Sequence, residues 1–110
     1  MSEDFSNTLQ QLVATIAQRR HAAPETSYVA KLLTKGKRKI AQKVGEEGVE
    51  VALALMQERK ENIISESADL LFHLLVAWEY SDVTLDEIAQ ELTHREGKSG
   101  LAEKAARFQN

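Results

Sequence analysis

K-R-K-I-A-Q-K-V-G-E-E-G-V-E-V-A-L-A-L-M-Q-E-R, residues Lys37–Arg59, reads as one long helix with two apolar faces. At about 100° per residue, Ile40, Val44, Val51 and Leu55 fall on one side, and Val49, Leu53 and Met56 fall on nearly the opposite one. A helix that is apolar on both sides must be covered on both. This segment is therefore expected between neighbours, one of them from a second subunit.

The flanking segments keep the helical period. About Ile63 to Tyr80 is the most hydrophobic stretch, with Leu70, Leu71, Phe72, Leu74, Leu75, Val76 and Trp78. Thr84 and Glu87 then form a T-x-x-E capping box for a helix whose stripe is Leu85, Ile88, Ala89 and Leu92, closed by Gly97. Upstream, Ser27 caps a short helix with Tyr28, a core aromatic with a polar tip, and Leu32 and Leu33; Gly36 ends it. A first helix over roughly Glu3–Arg20, capped by Ser2, aligns Phe5, Leu9, Leu12, Val13 and Ile16, and a break around Pro24 follows it. Lys98–Asn110 offers a short last helix with Leu101, Ala105 and Phe108 on one side. No repeat, linker or low-complexity segment interrupts this pattern. The expected fold is all-α, one domain over residues 1–110, a bundle of about five helices. At 110 residues the core is modest, so dimerisation is expected to complete it.

Composition narrows the function. The chain has no cysteine, so any metal must be held by oxygen or imidazole. No apolar run reaches membrane-spanning length, and Met1, Ser2, Glu3 and Asp4 lack the layout of a signal peptide, so a soluble cytoplasmic protein with no membrane partner is expected. A net charge of −3 argues against a general nucleic-acid binder. The charge is unevenly spread. Between Glu25 and Glu46 there is no acid, while Lys31, Lys35, Lys37, Arg38, Lys39 and Lys43 fall there; Glu46, Glu47 and Glu50 follow at once. That order suits a ligand carrying both phosphates and metal ions, although a solvated helix face would read the same way.

The acids form two motifs. One is E-E-x-x-E at Glu46, Glu47 and Glu50; the other is E-x-x-D at Glu66 and Asp69 on the next helix. Residues three apart share a helix side at a rise of about 4.5 Å, and helices pack about 8–10 Å apart. Glu47, Glu50, Glu66 and Asp69 are thereby expected to converge. Hard divalent cations require such oxygen donors, and Mg²⁺ takes a few carboxylates together with substrate phosphates. Glu47 lies only about 20° from Ile40, inside the apolar face, and Glu66, Asp69 and His73 are the only ionisable residues between Glu66 and Trp78. Buried carboxylates without a counter-charge are costly, and Lys43 alone does not balance four of them.

E-E-x-x-E followed by E-x-x-D resembles the all-α nucleotide pyrophosphohydrolases of the MazG and dimeric dUTPase group. Within that group S-Y-V-A-K-L-L (Ser27–Leu33), K-I-A-Q-K-V-G-E-E-G-V-E (Lys39–Glu50), E-S-A-D-L-L-F-H-L-L-V (Glu66–Val76) and S-G-L-A-E-K-A-A-R (Ser99–Arg107) are similar to the phosphoribosyl-ATP pyrophosphatases of histidine biosynthesis. The family's usual tyrosine before the histidine is Phe72 here. The resemblance implies a MazG-like fold and hydrolysis of the α–β phosphoanhydride of phosphoribosyl-ATP to phosphoribosyl-AMP and pyrophosphate. It also implies Mg²⁺ held by Glu47, Glu50, Glu66 and Asp69.

Glu46 is a candidate general base or supporting acid, or else a surface acid paired with Lys39 or Lys43. Lys31, Lys35, Lys39 and Lys43 are candidates for substrate phosphates, Lys43 foremost because it lies one turn before Glu47. His73, one turn from Asp69, is a candidate ligand, with a hydrogen-bonded orienting role or simple packing as its alternatives. Two other functions stay open on sequence: a house-cleaning (d)NTP pyrophosphohydrolase with the same metal site, and a helical dimerisation module without catalysis.

Overall fold

The structure is a computed structural model and describes residues 2–96 together with Lys104 and Arg107, both helical, with side chains from Asp4 onward. Within residues 2–96 five helices follow one another: α1 (Ser2–Arg19), α2 (Tyr28–Lys35), α3 (Lys37–Gln57), α4 (Lys60–Ser81) and α5 (Leu85–Arg95). No strand occurs among the described residues, so the all-α expectation holds. Gly97 and the expected last helix lie outside the described residues, as does the side chain of Ser2.

Local chemistry sets the boundaries. Ser27 is extended, and its hydroxyl accepts from the Ala30 amide at 3.1 Å, capping α2. Gly36, at φ +88°, donates its amide to the Leu32 carbonyl and offers its own carbonyl to the Ile40 amide. One residue thus ends α2 and opens α3, in a backbone region that side chains disfavour. Glu58 ends α3 in the left-handed conformation (φ 58°), its amide shared between the Ala54 and Leu55 carbonyls. Asp82 (φ 63°) plays the same part for α4. At α5 both halves of the Thr84–Glu87 capping box form, at 3.1 Å and 2.9 Å. α4 begins at Lys60, a turn earlier than its apolar periodicity suggests.

The two-residue connection at Glu58 and Arg59 folds α4 back along α3, and this is the most extensive helix pairing; α2 packs on α3, and α1 on α4. The core joins Ile16, Val29, Leu32, Ile40, Leu75 and Val76, so each of α1 to α4 contributes. Arg20 clamps the end of α1 to α4 through Glu79 at 2.7 Å.

Several apolar positions differ from the periodic reading. On α3, Ile40 and Ala54 are buried and Val44 and Val51 half-buried, whereas Leu55 is 54% exposed. The packed side is centred nearer Ile40 and Glu47, which leaves Leu55 at its margin. Val49, Leu53 and Met56 face outward, with Met56 81% exposed. On α5, Leu92 is 65% exposed, because no helix of the described chain covers that side. Phe5, near the start of α1, also projects beyond the core.

Candidate active site

Glu47 lies on the packed side of α3 and its side chain is only 12% exposed. Its neighbours on that side are Val51 and, beyond it, Ala54, so the carboxylate emerges where α3 meets α4. From α4, Glu66 and Asp69 project toward the same place. One carboxylate oxygen from each of Glu47, Glu66 and Asp69 lies within 4.8 Å of the others. The predicted meeting of acids across two helices is therefore present for these three. Glu50 stands outside that group and is exposed. The reason is angular: on α3 it sits about 60° round from Glu47, at the margin of the packed face.

The electrostatics follow. The Glu66 carboxyl is pushed above the ordinary carboxylate value of 4.5 by desolvation first, then by the charges of Glu50, Asp69 and Glu47. Glu50 thus acts on the cluster through its field. Mutual repulsion among partly desolvated carboxylates is what a divalent cation would relieve, and three hard oxygen donors suit such an ion.

Lys43 is the cation nearest this group on α3. Its ammonium lies 3.3 Å from Glu46 and 3.6 Å from Glu47. Glu46 also accepts from the Gln42 amide at 2.8 Å, and hydrogen bonds from Gln42 and Lys43 hold its carboxyl below the usual range. Its salt-bridge partner is Lys43 rather than Lys39, which acts on it only through its charge. Lys39 is half-buried one turn before Lys43, while Lys31 and Lys35 are exposed on α2. Lys104 and Arg107 are exposed too.

A second set of contacts was not legible in the spacing. Tyr28, at the first turn of α2, is 48% exposed rather than a core aromatic. Its hydroxyl meets Nε2 of the buried His73 at 2.9 Å, and His73 Nδ1 lies 2.8 Å from the main-chain carbonyl of Asp69. Both ring nitrogens of His73 thus have hydrogen-bond partners, the contacts an orienting histidine would need. Phe72 stacks on the Tyr28 ring, with centroids 6.2 Å apart at 20°. A cleft of about 360 Å³ between α1, the end of α4 and the start of α5 includes none of the cluster carboxylates.

The chain matches the family model described as phosphoribosyl-ATP pyrophosphohydrolase over residues 9–96. It is 54% identical to the phosphoribosyl-ATP pyrophosphatase of Erythrobacter litoralis, covering 92% of this chain and 97% of that protein. It is 54% identical to that of Rhizorhabdus wittichii, over 94% of this chain and 97% of that one. With that of Paracoccus denitrificans the identity is 49%, over 97% and 99%.

Proposed function

The chain belongs to the phosphoribosyl-ATP pyrophosphohydrolase family and is a hydrolase that cleaves phosphoribosyl-ATP to phosphoribosyl-AMP and pyrophosphate in histidine biosynthesis; we propose that the work is done with Mg²⁺ at Glu47, Glu66 and Asp69. The observation that carries this reading is the approach of those carboxylates, from two helices, to within 4.8 Å. Glu50 is the fourth acid of the centre, completing it through its charge or through a solvent molecule. A divalent ion bound there supplies neutralisation of phosphate charge and a more acidic attacking water.

The protein's own groups do the rest. Glu47, Glu66 and Asp69 fix the position of the cation relative to the anhydride. Lys43 and Lys39 follow α3 backward from Glu47 at four-residue steps, a line along which a phosphate chain would lie, with Lys31 and Lys35 of α2 further out. Glu46, held acidic by its two donors, is a weak proton acceptor and serves to position Lys43. The protein acts in the cytoplasm as a homodimer, a second copy covering the outward side of α3 at Val49, Leu53 and Met56. No helix among the described residues is long and apolar enough to cross a membrane.

Pyrophosphate release from phosphoribosyl-ATP, with Mg²⁺ and with excess chelator, tests the reading. Release that depends on the ion and falls sharply for dUTP, dCTP and ATP supports it. Preference for an ordinary nucleotide by about 100-fold, roughly 2.7 kcal/mol, would overturn the substrate assignment.

A further inference from the structure

The proton of the Tyr28 hydroxyl has a defined place. A main-chain carbonyl only accepts, so His73 Nδ1, 2.8 Å from the Asp69 carbonyl, carries the ring hydrogen. In the neutral imidazole Nε2 is then an acceptor, and the Tyr28 hydroxyl 2.9 Å away must donate to it. His73 is 6% exposed and packed edge-on against both Phe72 and Tyr28, so the imidazole has no room to turn. Tyr28 by contrast is 48% exposed, and its hydroxyl lies in the field of Lys43, Glu47, Asp69 and Glu46. Burial raises the phenol above its ordinary value, so it keeps its proton at neutral pH. What the hydroxyl offers outward is its lone pairs.

We propose that Tyr28 contacts the substrate beside the acid cluster, its hydroxyl fixed by His73 as a hydrogen-bond acceptor for a donor group of the nucleotide, a sugar hydroxyl or a base N–H. Phosphate oxygens are excluded from that position, since acceptor would face acceptor. His73 is a positioning residue, acting only through Tyr28. The inference rests on the acid cluster being the catalytic centre, and it adds the device that orients the nucleotide's uncharged part there.

The test is a double-mutant cycle of Y28F and H73L, read as kcat/KM for phosphoribosyl-ATP, with Mn²⁺ affinity measured on the same proteins. Y28F keeps the ring and its stacking on Phe72, and the exposed position lets it fold. It is expected to lower kcat/KM about three- to tenfold, the worth of one hydrogen bond, through KM and with Mn²⁺ affinity unchanged. H73L is expected to cost about as much alone and nothing further in Y28F, while H73Q, which retains an acceptor, restores most of the loss. An analogue whose triphosphate-bearing ribose lacks both hydroxyls separates the donors. If Y28F equals the wild type on it, that ribose is the donor; an undiminished gap places the donor on the base or on the second ribose. Wild-type kcat/KM in Y28F, or additive losses in the double variant, would overturn the proposal. Absence of Mn²⁺ binding in the wild type would remove the metal centre instead, and the cycle would still decide the role of Tyr28.

Discussion

Lys43 reaches one turn along α3 to Glu47, Nζ to Oε2 at 3.6 Å, and so engages a carboxylate that the proposed cation also needs. The two positive charges compete for it. Replacing Lys43 with methionine is expected to tighten Mn²⁺ or Mg²⁺ binding in the absence of substrate by about two- to fivefold, the scale of an accessible ion pair. Titration calorimetry checks this. Unchanged or weaker binding would show that Lys43 and the cation do not share Glu47.

The raised pKa of Glu66 has a consequence for stability. The folded protein holds that proton more tightly than the unfolded chain does, so the contribution favours folding at low pH and is lost as pH climbs through the interval above 4.5. In chelator, E66Q is therefore expected to melt higher than the wild type at neutral pH, the gap closing on acidification toward 4.5. Added divalent ion is expected to reverse the order, because only the wild type gains from binding. Equal melting temperatures across the pH range would contradict the repulsion inferred for this cluster.

The proposed site ranks the acids by place. E47Q, E66Q and D69N each replace an anionic carboxylate of the tight group with a neutral amide, and each is expected to reduce turnover at least about 100-fold with helical content intact. E50Q removes a charge from the margin and is expected to cost less, about tenfold or below. Steady-state pyrophosphate release and far-ultraviolet circular dichroism measure both. E50Q as damaging as E66Q would put Glu50 in direct contact with the ion.

Much of this was legible in the sequence because it is local. The Ser27 cap, the Thr84–Glu87 box and Gly36 between two helices are each set by residues within four positions of one another. The inward place of Glu47 follows from its angle to Ile40 on one helix. Two things escaped. Glu50 shares a side with Glu47 only loosely, and which of them meets α4 depends on the rotation of α3 in the packed pair. The Tyr28–His73 bond joins residues 45 apart in the chain, and periodicity carries no information about such a pairing.

The proposed dimer rests on the outward side of α3. Met56 and Leu53 are 81% and 53% exposed, a costly arrangement for adjacent large apolar groups unless a partner covers them. The variant L53D is expected to shift light scattering from dimer to monomer at micromolar concentration. A wild type that is already monomeric would refute the dimer.

Thr84 gives a stability control remote from the acids. T84A removes both hydroxyl contacts of the capping box and is expected to cost about 1 kcal/mol by denaturant titration, with kcat/KM unchanged. A loss of activity at full stability would tie α5 to the reaction.

Side chains from α3 and α4 are proposed to share one divalent ion. Anomalous diffraction from crystals grown with Mn²⁺ tests it most directly. A peak is expected, bounded by carboxylate oxygens of Glu47, Glu66 and Asp69 at about 2.0–2.3 Å, the range for a small hard cation. A peak held by one helix alone, or none near these residues at saturating Mn²⁺, would contradict it.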